Sequence, residues 1–120
     1  MPTWDRTESL MFETRVLDAA IRRKAERLEA ERRVILDRLL AALRAQAPRL
    51  GLREAFIVGS LVQQGAWTED SDVDVAISGG DPLRVMRTLE EAVDRDVDVI
   101  DLDRHPEPGL FRRRGTKVIG

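Results

Sequence analysis

Apolar residues in the first part of the chain recur at helical spacing, whereas those further on come in short runs. Residues 7–47 contain no glycine or proline and are rich in Ala, Leu, Arg and Glu, which are strong helix formers. A near-heptad stripe runs along them: Leu10, Leu17, Ile21, Leu28, Ile35 and Ala42. Additional leucines gather towards residue 43, while the middle is highly charged. The pattern predicts one long helix over residues 1–50, packing on a domain through its C-terminal half and projecting, or pairing with another helix, through its N-terminal half.

Strand patterns begin after Pro48 and Gly51. Residues 55–58 form a continuous apolar run that ends at Gly59-Ser60, and residues 72–78 alternate, with valine and isoleucine on the core side. Asp81-Pro82 has the order of an N-cap followed by proline in the first helical turn. The face of that helix predicted to be buried comprises Leu83, Val85, Met86, Leu89 and Val93.

A third strand over 97–102, a helical turn near residue 110 and a short strand over 116–119 complete the pattern. The order of elements predicts an α/β (α+β) domain with a small mixed sheet over residues 51–120. The long helix precedes this domain as a packing or oligomerisation element. No internal repeat or low-complexity tract interrupts either part.

Bulk composition narrows the classes of function. The chain has 120 residues, with 22 Asp and Glu against 20 Lys and Arg, and residues 51–120 carry a net charge of −5. Nucleic acid is therefore disfavoured as a partner, because its phosphates need compensating cations. Cysteine is absent, which excludes disulfides and thiolate chemistry, and no apolar run approaches the length of a membrane span. We expect a cytoplasmic location.

Paired aspartates provide the main chemical signal. Asp72 and Asp74 are separated by one residue in a strand, which places both carboxylates on the same side of the sheet. Adjacent acids repel unless a cation neutralises them, and oxygen ligands suit Mg²⁺, which commonly shares its coordination shell with substrate phosphates. A solvated strand edge that resists edge-to-edge pairing is the structural alternative.

Taken with Gly59, Ser60 and the third strand, these residues resemble the minimal nucleotidyltransferases of the DNA polymerase β superfamily. That family has a Gly-Ser turn after the first strand, Ser-Asp-x-Asp on the second and a further acid on the next. The resemblance covers residues 53–120 and selects Asp98 as the third acid, over Asp96, Asp101 and Asp103.

The resemblance implies transfer of a nucleoside monophosphate, with ATP as the expected donor, to a hydroxyl group. Gly59 and Ser60 would bind the triphosphate, and Asp72, Asp74 and Asp98 would be the catalytic and Mg²⁺-binding residues. The implied protein partner is a HEPN-domain toxin, with this chain as the antitoxin that nucleotidylates it. We also expect a homodimer formed through the N-terminal helix.

Two features of the sequence favour a different function, that of a catalytically degenerate fold that dimerises or caps a partner through its helix. Four residues separate Ser60 from Gly65 where the family more often has three, and the basic residue common in this stretch is absent. Phosphate would then be anchored elsewhere, by Arg84, Arg87 or the run of arginines from 112 to 114. Trp67 is expected to pack beneath its loop, and His105 to be an exposed loop residue.

Overall fold

The computed structural model describes residues 6–120, with side chains at 10, 11 and 13–120. The helices are α1 (Arg6–Leu50), α2 (Pro82–Val93) and α3 (Pro108–Arg114). The strands are β1 (Glu54–Val58), β2 (Val73–Ser78), β3 (Val97–Asp101) and β4 (Thr116–Ile119), and a single 3₁₀ turn, Gly59–Leu61, follows β1. The predicted order of elements is confirmed. Residues 1–5 of the predicted helical segment lie outside the described part of the chain.

Helix α1 has 45 residues, roughly 68 Å at 1.5 Å per residue, and it gives the molecule its longest dimension of 70 Å. The apolar residues of its C-terminal half are buried in the main core: Ile35, Leu39, Leu43, Ala47 and Leu50. The N-terminal half projects, and Leu10, Leu17 and Ile21 are about 60% exposed, at 59%, 62% and 66%. One half of the helix thus completes the domain, while the other half carries its apolar stripe into solvent, as the uneven sequence pattern predicts.

Replacing Leu39 with Ala should destabilise the protein by about 3 kcal/mol, because the side chain is fully buried and its removal leaves a cavity. The same substitution at Leu17, which is exposed on the same helix, should change the free energy of unfolding by less than about 0.5 kcal/mol. Urea denaturation of both variants measures the difference. Equal effects would mean that the C-terminal half of α1 is not part of the cooperative core.

The sheet has the strand order β3-β2-β1-β4, in which β1 is antiparallel to both β2 and β4 and β2 is parallel to β3. One face packs against α1 and α2 and forms the main core. On the other face, a smaller cluster is formed by Phe56, Val58, Ala76 and Leu102, with Ile100 and Phe111 against it. Because side chains alternate across a strand, Asp74 and Asp98 share this second face.

Helix α2 begins as its sequence predicts, since Asp81 Oδ1 accepts a hydrogen bond from the Leu83 amide at 3.1 Å and Pro82 follows the cap. Val85, Leu89 and Val93 are buried as expected. The prediction for Leu83 is wrong, because its side chain is 50% exposed. It lies in the first turn of α2, directly after the Asp81 cap and Pro82. Within residues 6–120, no helix combines the length and apolar character needed to cross a bilayer.

Candidate functional site

The turn after β1 brings backbone unusually close to an acidic side chain. Gly59 has a φ of +76°, which favours glycine, and a Cβ atom built there would collide with Asp74 Oδ2. Ser60 follows within the 3₁₀ turn, and Val62 closes the turn by donating its amide to the Gly59 carbonyl at 3.3 Å. Gly59 is therefore required by both its backbone conformation and the proximity of the Asp74 carboxylate.

Asp74 and Asp98 are brought side by side by the strand register. They are paired residues of the parallel strands β2 and β3, so their side chains project from the same face at neighbouring positions. Asp74 is half-buried and Asp98 is exposed. Burial, the Asp98 and Asp72 charges and a contact with the Asp98 carboxyl together raise the pKa of Asp74. Asp72, exposed and just before β2, joins the pair mainly through its charge.

These carboxylates form an oxygen-only donor set, which suits a hard divalent cation, and a cation beside Asp74 would offset the burial and repulsion that raise its pKa. Across residues 6–120, however, no three His, Cys, Asp or Glu side chains are already grouped at the spacing of a metal site. The structure brings together Asp74 and Asp98, with Asp72 at the edge of the pair. The chemistry of the donors fits Mg²⁺.

Two of the other acids that compete with Asp98 in the sequence have structural partners. Asp103 accepts hydrogen bonds from the Ser78 hydroxyl at 2.8 Å, the Gly79 amide at 2.9 Å and Arg53 at 3.2 Å, and these donors lower its pKa. This cluster lies at the far end of β2 from Asp74. Asp101 accepts from the Asp103 amide at 3.0 Å. Both residues stabilise the segment after β3.

A cleft of about 230 Å³ opens beside the glycine turn. Its lining combines apolar side chains with one acid and one base: Val58, Gly59, Gln63, Asp74, Ile100, Leu110, Phe111 and Arg114. Ser60, Asp72 and Asp98 lie outside this lining. The volume suffices for part of a nucleotide, such as a base or a phosphate group. Larger depressions of about 440 and 600 Å³ lie along α1, but none of the predicted site residues line them.

Helix α3 places Arg114 in the cleft, and contacts with β1 hold this helix. Arg112 donates to both Glu54 carboxylate oxygens, at 2.9 and 3.2 Å, which lowers the pKa of Glu54. Gly115 allows close packing, since a Cβ there would lie 2.8 Å from Val58 Cγ1. Within the arginine run, Arg112 is thus occupied by an ion pair and Arg114 faces the cleft, a division that sequence alone does not reveal.

Arg84 and Arg87, the other proposed phosphate anchors, lie on α2. That helix packs against the opposite face of the sheet from Asp74, so these two arginines are badly placed for the cleft.

Two further predicted residues have structural roles. Trp67 is buried, with 6% exposure, which confirms packing beneath its loop. His105 is only half-buried rather than exposed, because its ring meets Phe111 edge to face at 4.7 Å and its Nδ1 accepts from the Glu107 amide at 2.9 Å. The expectation of an exposed His105 is therefore wrong, and the ring helps to order the entry to α3.

Solved structures with the same fold come from toxin–antitoxin complexes. The chain resembles one toxin–antitoxin structure solved with AMP-PNP, with a TM-score of 0.55 and 25% identity over 70% of this chain and 72% of the other. Two mutant structures of a toxin–antitoxin named MntA-HpeT have TM-scores of 0.52, with 25% and 23% identity over 70% of this chain and 71% of theirs. No family model and no curated protein matches the sequence. The likeness confirms the nucleotidyltransferase type of fold.

Proposed function

We propose that this chain is a Mg²⁺-dependent nucleotidyltransferase that moves AMP from ATP to a hydroxyl group. The observation that carries the proposal is the pairing of Asp74 with Asp98 on one face of the sheet, directly against the Gly59 turn and beside a cleft that contains Arg114. The solved structure with AMP-PNP supports an adenine nucleotide as the donor. Such a reaction belongs in the cytoplasm, where ATP is abundant.

Asp72, Asp74 and Asp98 would hold the metal. Mg²⁺ held by these carboxylates would supply the positive charge that stabilises the oxygens of an in-line displacement. Gly59 and Ser60 contribute backbone and hydroxyl donors at the point where the chain can approach a phosphate closely. The acceptor oxygen forms a bond to the α-phosphorus, the bond to pyrophosphate breaks, and Asp98, the more exposed carboxylate, accepts the hydroxyl proton.

Arg114 would bind the triphosphate in place of the basic residue that the family usually has after the Gly-Ser turn. It is the single arginine among the residues that line the cleft. A guanidinium matches phosphate oxygens in a bidentate geometry, so it suits this role.

Replacing Arg114 with Met should raise the KM for ATP about 10-fold, the loss expected for one charge-assisted contact, while the fold is retained because the side chain is exposed. Arg113→Met is the matched control, since Arg113 is exposed on the same helix and does not line the cleft. Steady-state kinetics with labelled ATP separates the two. If both variants change KM equally, the effect comes from the general charge of α3 and not from a contact of Arg114.

The acceptor we propose is a hydroxyl side chain of a partner toxin with a HEPN domain. Support comes from the toxin–antitoxin complexes among the similar structures. Co-expression of the chain with the toxin, followed by intact-mass measurement, tests this. An active complex whose toxin carries no added nucleotide would contradict it.

A second candidate function is that of an interaction module without catalysis, which dimerises through α1. The observation in its favour is the exposed apolar stripe of Leu10, Leu17 and Ile21. Titration with ATP, with and without Mg²⁺, distinguishes the two functions, since a module of this kind would show no metal-dependent binding. Sedimentation of the parent chain and of a Leu17→Glu variant tests the homodimer directly.

A further inference from the structure

Residues 62–72 join the Gly59 turn to Asp72 without forming a helix or strand. Any movement of this segment, which we call the connecting loop, would shift the phosphate-binding turn and the first acid relative to each other. Its position therefore matters to the proposed chemistry. The contacts that hold it come from α1 and from the turn before β3.

The first contact fixes the start of the connecting loop. Arg32 Nη1, from α1, donates to the Leu61 carbonyl at 2.9 Å, directly after Ser60. Glu29 holds Arg32 in place through two hydrogen bonds of 2.8 Å, and these lower the pKa of Glu29 to about 2. The guanidinium is mostly buried, with 22% of the side chain exposed. This bidentate pairing limits Arg32 to a narrow range of positions.

The second contact fixes the middle of the loop. The Arg95 guanidinium lies 4.8 Å from the centre of the Trp67 ring, and its Nη2 donates to the Glu69 carbonyl at 3.2 Å. Glu31 of α1 forms an ion pair with the same nitrogen at 2.9 Å. Trp67 is therefore buried between the core and the Arg95 guanidinium, which Glu31 of α1 holds in place.

The last residues before Asp72 are ordered locally. The Thr68 amide donates to the Ser71 hydroxyl at 2.8 Å, and the Ser71 amide donates to the Thr68 carbonyl at 3.2 Å. Lys24 adds an ion pair to Glu69 at 3.3 Å, but both side chains are more than half exposed, so its contribution is small. These contacts order the turn that directly precedes Asp72.

Stability alone does not account for this arrangement. Trp67 Nε1 and Arg95 Nη1 are both buried without an acceptor among the described residues, and such donors are costly to bury. An apolar residue in place of Arg95 would avoid that cost. The cluster instead provides a fixed separation between α1 and the loop.

We propose that Arg32, together with the Glu31–Arg95–Trp67 cluster, positions the connecting loop so that the Gly59 turn and Asp72 keep their productive separation. The proposal rests on the proposed nucleotidyltransferase function and assigns α1 a part in it. Arg32 and Arg95 are positioning residues, because they act through the loop and line no part of the cleft.

Arg32→Met tests the proposal, with Arg33→Met as its matched control. Both arginines bond to Glu29, but Arg33 is 74% exposed and makes no contact with the loop. Arg32→Met should lower kcat for transfer by about 10- to 100-fold and change the KM for ATP by less than about 3-fold, since geometry rather than affinity is lost. Arg32→Lys should restore part of the rate, and Arg33→Met should match the parent chain.

Fluorescence gives a readout that does not depend on activity. The chain has two tryptophans, so Trp4→Phe leaves Trp67 as the single reporter. In that background Arg32→Met should raise acrylamide quenching of Trp67, and Arg33→Met should not. Equal quenching and equal kcat for the two variants would overturn the proposal. If the parent chain transfers no nucleotide, the proposed function fails, but the quenching measurement still tests whether Arg32 positions the loop. If Arg32→Met does not fold, Glu31→Gln takes its place in both measurements.

Discussion

Asp74→Asn is expected to abolish nucleotide transfer while making the metal-free protein more stable. The amide keeps the volume of the carboxyl group but cannot neutralise a divalent cation, and the loss of a metal's charge stabilisation lowers the rate on the order of 1000-fold. Stability moves the other way because burial and the charges of Asp98 and Asp72 oppose ionisation of Asp74. Opposite effects on activity and stability are typical of a site selected for chemistry.

The pH dependence of this stability effect has a definite sign. Because the pKa of Asp74 is raised in the folded state, the folded protein holds a proton that the unfolded chain has lost, and the free energy of unfolding falls as pH rises through that interval. The Asp74→Asn variant does not lose stability in this way, because the amide does not ionise. The stability gain of the variant should therefore be present at neutral pH and vanish below about pH 4, where the carboxyl is protonated in both states.

Thermal melts in EDTA and in Mg²⁺, together with a transfer assay, measure both parts of this prediction. Mg²⁺ should raise the melting temperature of the parent chain more than that of Asp74→Asn. Asp37→Asn, an exposed change of the same charge on α1, is the control and should leave transfer unaltered. Full activity of Asp74→Asn would remove Asp74 from the site, and lower stability in EDTA would show that the carboxylate is favourably solvated or paired.

Gly59→Ala is expected to lose both activity and stability. Alanine at a φ of +76° costs about 1 kcal/mol or more, and its Cβ would push the Asp74 carboxylate out of place. Displacement of about 1 Å at a reacting centre lowers the rate by about 100-fold. Urea denaturation and the transfer assay are the two measurements.

Gly65→Ala separates the two causes. Gly65 has nearly the same backbone conformation, with a φ of +73°, but no atom lies within 4 Å of a Cβ built there. It should lose a similar increment of stability from backbone strain and keep most of its activity. If Gly65→Ala and Gly59→Ala reduce transfer equally, the close approach to Asp74 is not what glycine provides at position 59.

Local signals in the sequence predicted most of the elements, the glycine turn after β1 and the face of the sheet that carries Asp74. Asp81-Pro82 starts α2 because capping depends only on neighbouring residues, and the alternation over 72–78 sets the face of Asp74 because side-chain direction follows from strand geometry. Gly59 could be selected because a sharp turn after a buried strand needs a positive φ. Each inference depends on contacts within a few residues.

Sequence reasoning failed where distant segments meet. The separate roles of Arg112 and Arg114 depend on how α3 packs on β1. In this packing Arg112 pairs with Glu54 and Arg114 lines the cleft. The pairing of Trp67 with Arg95 joins two loops 28 positions apart. Trp67 could be expected to pack beneath its loop because it is a large apolar side chain in a polar segment, but nothing in the sequence identified its partner.

During synthesis, the long helix α1 is made before the part of the chain that buries its apolar face. Helix α1 is synthesised before the sheet, so the face that bears Leu39 and Leu43 is covered only after the strands up to Asp101 have emerged. At bacterial or eukaryotic elongation rates this delay is roughly 3–10 s for the intervening 51 residues. During that interval the apolar face of the nascent helix is exposed to solvent, and it is the kind of surface that ribosome-associated chaperones bind.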